Sequence, residues 1–165
     1  MLRFAKSLVA TIALAVPLAS PALAADDGVI RVKSAYPMKE TIHRIKADIV
    51  KKGITYFQDI DQSRLAAAAG IKLRPSTLLI FGNPGLGSHF ITAKAEAGLD
   101  WPVRLLVTQD EAGQVWAVYT DFKWIAARHR IRDRDGQFAT ATGVIASITS
   151  SISGTIDATS KGGTP

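Results

Sequence analysis

The stretch "RPSTLLIFGNPGLGSHF", residues 74 to 90, limits the fold more than any other part of the chain. Leu78, Leu79, Ile80 and Phe81 follow one another without polar alternation, the pattern of a strand buried on both faces. The run stops at Asn83 and Pro84, a good N-cap residue followed by the residue best suited to the first helical position. A buried strand that passes straight into a helix requires a sheet with helices packed on it. The helix is expected to run to about Ala97, with Gly98 ending it.

The remaining segments alternate between the two periods. "GVIRVKS" reads as a short strand, and Met38, Ile42, Ile45 and Ile49 then fall on one helical face that Lys51, Lys52 and Gly53 close. "ITYFQDID" is strand-like, and "QSRLAAAAG" is a short helical turn ending at Gly70. "WPVRLLVTQD" and "VWAVYTD" flank "EAG" and predict a hairpin. "FKWIAARHRI" predicts a helix, and Phe138, Ile145, Ile148, Ile152 and Ile156 keep helical spacing in a last one. Strands separated by helices, with one hairpin, predict an α+β domain in two layers. Its sheet has about five mostly antiparallel strands, close to a split βαβ plan with an added edge strand.

Residues 1–24 read as a cleaved signal peptide, because Arg3 and Lys6 precede an apolar stretch that ends in "ALA". Pro17 and Pro21 break that stretch, which is too short for a comfortable membrane span. The expected mature chain is one domain over 25–156, followed by a flexible tail over 157–165, and its address is the periplasm or outside the cell. Cleavage removes Arg3 and Lys6 and no acid, taking the formal charge from +6 to +4. That balance is too mild for a nucleic-acid binder, and no membrane span is expected after cleavage. There is no cysteine, so disulfides, thiolate nucleophiles and thiolate metal sites are excluded and packing must hold the domain.

Glycines beside a strand end invite a phosphate-binding reading, but Gly82, Gly85 and Gly87 give G-x-x-G-x-G, neither the dinucleotide fingerprint nor a P-loop. A helix-starting corner is the simpler reading, with an anion site at the helix start as the alternative. His43 reads as a solvated position. His89 and His129 share no ligand spacing with another histidine, which leaves a metal or the iron of a haem as a minor reading for either. "RHRIRDRD" either clamps an anionic group or is a self-neutralised surface. Trp101, Trp116, Tyr119 and Trp124 offer large area with polar tips, for a core, a pocket or a subunit contact. No Ser-His-Asp order, paired carboxylates or H-E-x-x-H motif gives positive evidence of an enzyme.

Three segments, "LRPSTLLIFGNPGLGS", "LDWPVRLLVTQDEAGQVWAVYTD" and "IAARH", resemble the family called domain of unknown function 302. The matching positions are Gly82, Asn83, Pro84, Gly87, Leu99, Pro102, Asp110, Gly113, Val115, Trp116, Tyr119, Arg128 and His129. "GSH" stands here where the family's turn continues G-T-P, and "TDF" where its hairpin is followed by N-D-P, so His129 matches a family position and His89 does not. The resemblance implies a compact α+β fold, a homodimer and export, and no established reaction. These readings together predict a dimeric exported module holding a small anionic or apolar ligand between the glycine turn and the hairpin. Asn83, Gly87, Ser88, Trp101, Trp116, Tyr119, Arg128 and His129 are the expected ligand-binding residues, and haem is one ligand that His129 suits. An assembly module without a small ligand, and an enzyme using His129 as acid or base, are the alternatives.

Overall fold

The computed structural model describes residues 27–153. The expected signal peptide over 1–24, the tail over 157–165 and Ile156 lie outside the described residues. Five strands, β1 (Val29–Lys33), β2 (Thr55–Asp61), β3 (Ser76–Gly82), β4 (Val103–Gln109) and β5 (Val115–Thr120), form one sheet in the order β1-β5-β4-β3-β2. Every ladder is antiparallel. Around the sheet run α1 (Met38–Lys51), α2 (Gln62–Ala68), α3 (Pro84–Ala93), α4 (Phe122–His129) and α5 (Asp135–Ser150).

β1 and β2, joined through α1, occupy opposite edges and point the same way. This is a βαβ unit split by three inserted strands. The insertion lies inside the unit rather than as one strand added at an edge. It leaves β3 and β4 in the middle of the sheet, where the most apolar runs belong.

Register sorts side chains between the two faces, since directly paired residues share a face. One face carries Leu79, Phe81, Leu105, Val107 and Ala117, each 2 % exposed or less. The helices supply the rest of this core: Ile45 and Ile49 from α1, and Phe138, Ala141, Ile145 and Ile148 from α5. The opposite face carries a row of register partners, Ile60, Leu78, Leu106 and Val118, which are only half-buried and take no part in that core.

Caps fix the helix starts. Asp61, Asn83 and Asp121 accept from the backbone N–H of Arg64, Leu86 and Lys123 respectively. In the hairpin, Gly113 takes φ +81°, which a side-chain-bearing residue adopts only with strain, and its N–H donates to the Asp110 carbonyl at 3.1 Å. α3 ends at Ala93, short of the expected Ala97. Lys94 is extended at φ −153° and a 3₁₀ turn follows over Ala95–Leu99. The break re-aims the chain, so that Ala97 is buried and Asp100 comes to lie against the end of α4.

Candidate functional site

At the corner after β3, the Asn83 side chain accepts from Leu86 N at 3.2 Å and Pro84 opens α3. The Ser88 hydroxyl is occupied locally, donating to the Pro84 carbonyl at 2.7 Å. Gly87 has a different task. A Cβ there would lie 1.6 Å from Nε1 of Trp101, and one at Gly82 would lie 3.1 Å from its Cζ2. The two glycines therefore make room for an indole, which also meets the Phe90 ring at 5.7 Å between centroids.

Beside this indole lies a cavity of about 520 Å³ between the corner and α5. Phe81, Leu86, Trp101, Val103, Val144 and Ile145 make most of its wall. Asn83, Thr140, Ser147 and Lys52 supply its polar atoms, and the Lys52 ammonium is matched by Asp48 at 2.6 Å. An apolar volume of this size with few polar groups suits a small apolar molecule and gives a charged one no unmatched partner.

A second constellation surrounds Asp100, whose side chain is 4 % exposed. His129 Nε2 lies 2.6 Å from Oδ2, and Arg128 donates through Nη1 to both carboxylate oxygens, at 3.2 and 3.1 Å. Arg104 Nη2 donates to Oδ1 at 3.1 Å and to the Leu99 carbonyl at 2.6 Å. The carboxylate fixes the orientation of the His129 ring, as acids do for catalytic and metal-ligating histidines. Neither Asp100 nor Arg104 is among the residues that sequence motifs single out.

The eight expected ligand-binding residues do not converge on one place. Asn83 and Trp101 line the cavity, with Gly87 beneath the indole. Ser88 is exposed, as are His43 and His89. Arg128 and His129 belong to the Asp100 cluster, and Tyr119 lines a small crevice with Asp100 and Arg104. Burial pushes the Tyr119 hydroxyl above its ordinary pKa, and the nearby Asp121 charge adds to the shift. Trp116, three residues before Tyr119 on the same strand, projects to the opposite face of the sheet. Its indole N–H donates to Asp110 Oδ2 at 2.8 Å and closes the hairpin. A haem in the cavity would find no axial histidine, because His129 lies outside it. Among the described residues no three His, Asp or Glu side chains gather as a metal-ligand set.

A split βαβ sheet with α1 and α5 packed on one face and an apolar cavity at the strand-to-helix corner define a small α+β domain. The chain matches the family described as domain of unknown function DUF302 over residues 30–152, and it belongs to that family. The solved structure of the uncharacterized conserved protein DUF302 from Bacillus stearothermophilus has the same fold. Its TM-score is 0.70 at 16 % identity, over 76 % of this chain and 98 % of that one. Fluoride-specific ion channel FluC 1 of Brucella suis biovar 1 is 38 % identical over 106 residues, 64 % of this chain and 42 % of that protein. FluC 2 of Brucella melitensis biotype 1 is similar to the same degree, with 39 % of its length covered. The chain thus spans less than half the length of these curated relatives. No helix among the described residues is long and apolar enough to cross a membrane.

Proposed function

We propose that the chain is an exported, dimeric module that binds a small apolar molecule in the cavity between the Asn83 corner, Trp101 and α5. One observation carries the reading: about 520 Å³ of apolar space, inside the range of small-ligand sites, opens where a strand ends on a capped helix. Trp101 supplies area, and the Asn83 side chain offers one polar contact at the mouth. The bound species is neutral, since the one cation in the wall is already paired with Asp48. Export rests on the leader-like residues 1–24.

Gly143 gives a clean test, because it is exposed, lines the cavity, and a Cβ there meets nothing within 4 Å. Gly143→Phe is expected to fill the opening without disturbing the core. Titration with the neutral probe N-phenylnaphthylamine should give saturable fluorescence with energy transfer from Trp101, abolished in Gly143→Phe. Equal binding in the two proteins, or none in the wild type, would remove the reading.

A second reading is assembly with a protein partner. It is supported by the half-buried sheet face and by relatives named as channels, in which the matching stretch is only about two-fifths of the polypeptide. On this reading the domain is an accessory unit that meets its partner through that sheet face.

A further inference from the structure

We propose that the cleft at the C-terminal end of α4 is a second, separate binding site, for a small free oxyanion such as a carboxylate or phosphate. The cleft has a volume of about 400 Å³ and is lined by Lys94, Glu96, Arg128, His129 and Arg130. It shares no lining residue with the apolar cavity.

Charge favours an anion. Of its three permanent cations Arg128 is matched by the buried Asp100, which leaves Lys94 and Arg130 facing the single carboxylate of Glu96, and the Lys94–Glu96 pair at 3.4 Å is solvent-exposed and therefore weak. Arg128 spends only Nη1 on Asp100 and lies over the Trp124 ring at 5.5 Å, so Nε and Nη2 make no hydrogen bond among the described residues. Arg130 makes no ion pair among the described residues. A guanidinium with free edges matches the paired oxygens of carboxylate and phosphate better than it matches a halide.

His129 supplies the polar floor. The residue is 8 % exposed, its Nε2 is committed to Asp100, and Nδ1 has no hydrogen-bond partner among the described residues. Nδ1 is thus the only polar atom the ring keeps for the cleft. Asp100 behind it fixes the ring's orientation at the wall of the cleft.

Arg130 adds an independent observation. It is the one non-glycine among the described residues with positive φ, at φ 56° and ψ 35°. It occupies the left-handed end of a helix whose closing bonds run from Arg130 N to Ala127 O and from Ile131 N to Ala126 O, at 3.1 and 3.0 Å. Glycine is the least strained residue in that position. An arginine held there accepts a backbone conformation that is easier for glycine while placing its guanidinium on the lining of the cleft.

The test uses the opposite signs these roles predict. Arg130→Gly should raise the melting temperature or leave it unchanged, while weakening oxyanion binding at least about tenfold. Binding is read by NMR on the isotope-labelled mature protein, following the amides of Arg130 and Ile131 and the ring of His129. Inorganic phosphate and acetate are titrated at ionic strength held constant with chloride. A saturable shift with either oxyanion that is weakened in Arg130→Gly supports the site. Unchanged binding in Arg130→Gly, shifts that chloride reproduces, or saturation by fluoride but neither oxyanion would each overturn it.

Discussion

Nε2 of His129 and Oδ2 of Asp100 lie 2.6 Å apart, joining the last residue of α4 to the residue just before the Trp101–Pro102 peptide, with both side chains buried. Two arginines complete the carboxylate's partners, so Asp100 is the point at which α4, the segment after α3 and the start of β4 are tied together. Removing a buried carboxylate strands its partners, which costs more than the pair is worth intact. Asp100→Ala is expected to lose about 3 kcal/mol of stability in urea unfolding, and Asp100→Asn less. A loss under about 1 kcal/mol would mean the cluster behaves as a surface pair.

Local signals in the sequence were enough for the strands, the Asn83 cap and the hairpin, because each depends on residues a few positions apart. Asn83 and Pro84 start a helix where cap chemistry says they should, and Met38 to Ile49 do face inward. Asp100 was not legible, since two of the three residues that hold it lie 28 and 29 positions later and no spacing rule connects an acid in "LDWP" to the end of a helix. The cavity escaped for the same reason: its walls come from five separate elements, β3, α3, β4, α4 and α5, and the segments between them. The placement of Trp116 was within reach. Three positions along a strand is an odd number, so Trp116 and Tyr119 must project to opposite faces, and period-2 counting alone separates them.

Gly87 tests whether the corner exists for the indole. Alanine there would drive a methyl group into Trp101 Nε1, and the ring has Gly82 and Phe90 on its other sides. Gly87→Ala should lose about 1–3 kcal/mol, as overpacked cores do, with a red-shifted Trp101 emission. Gly136→Ala, a helical position with nothing within 4 Å of a Cβ, should gain up to about 1 kcal/mol. Equal effects at the two positions would refute the packing role.

Acid stability depends partly on Asp110. The Trp116 indole N–H, and then the Gln114 backbone N–H, hold its carboxyl below the ordinary aspartate pKa. A group depressed in the folded state contributes stability above its unfolded pKa and loses it as pH falls through the folded value. Wild type should therefore lose more stability than Asp110→Asn on acidification below about pH 4, with a constant difference above it. Parallel urea midpoints for the two proteins down to pH 2 would contradict this.

The half-buried sheet face makes the proposed dimer testable. Five strands spaced about 4.8 Å apart and some 20 Å long present roughly 480 Å² of flat area, or about 1,000 Å² for two copies, the threshold of a specific interface. Its centre is the row Ile60, Leu78, Leu106 and Val118, with the Trp116 ring at the edge toward the hairpin. A charge at the middle of such a row would be buried without a partner in a face-to-face dimer and fully hydrated in a monomer. Leu106→Glu should therefore convert a concentration-dependent dimer to a monomer in sedimentation equilibrium while leaving the circular dichroism spectrum intact, and Trp116→Ala should weaken the dimer. A wild-type protein that is monomeric at all concentrations, or a Leu106→Glu protein that remains dimeric, would place any self-association elsewhere on the molecule.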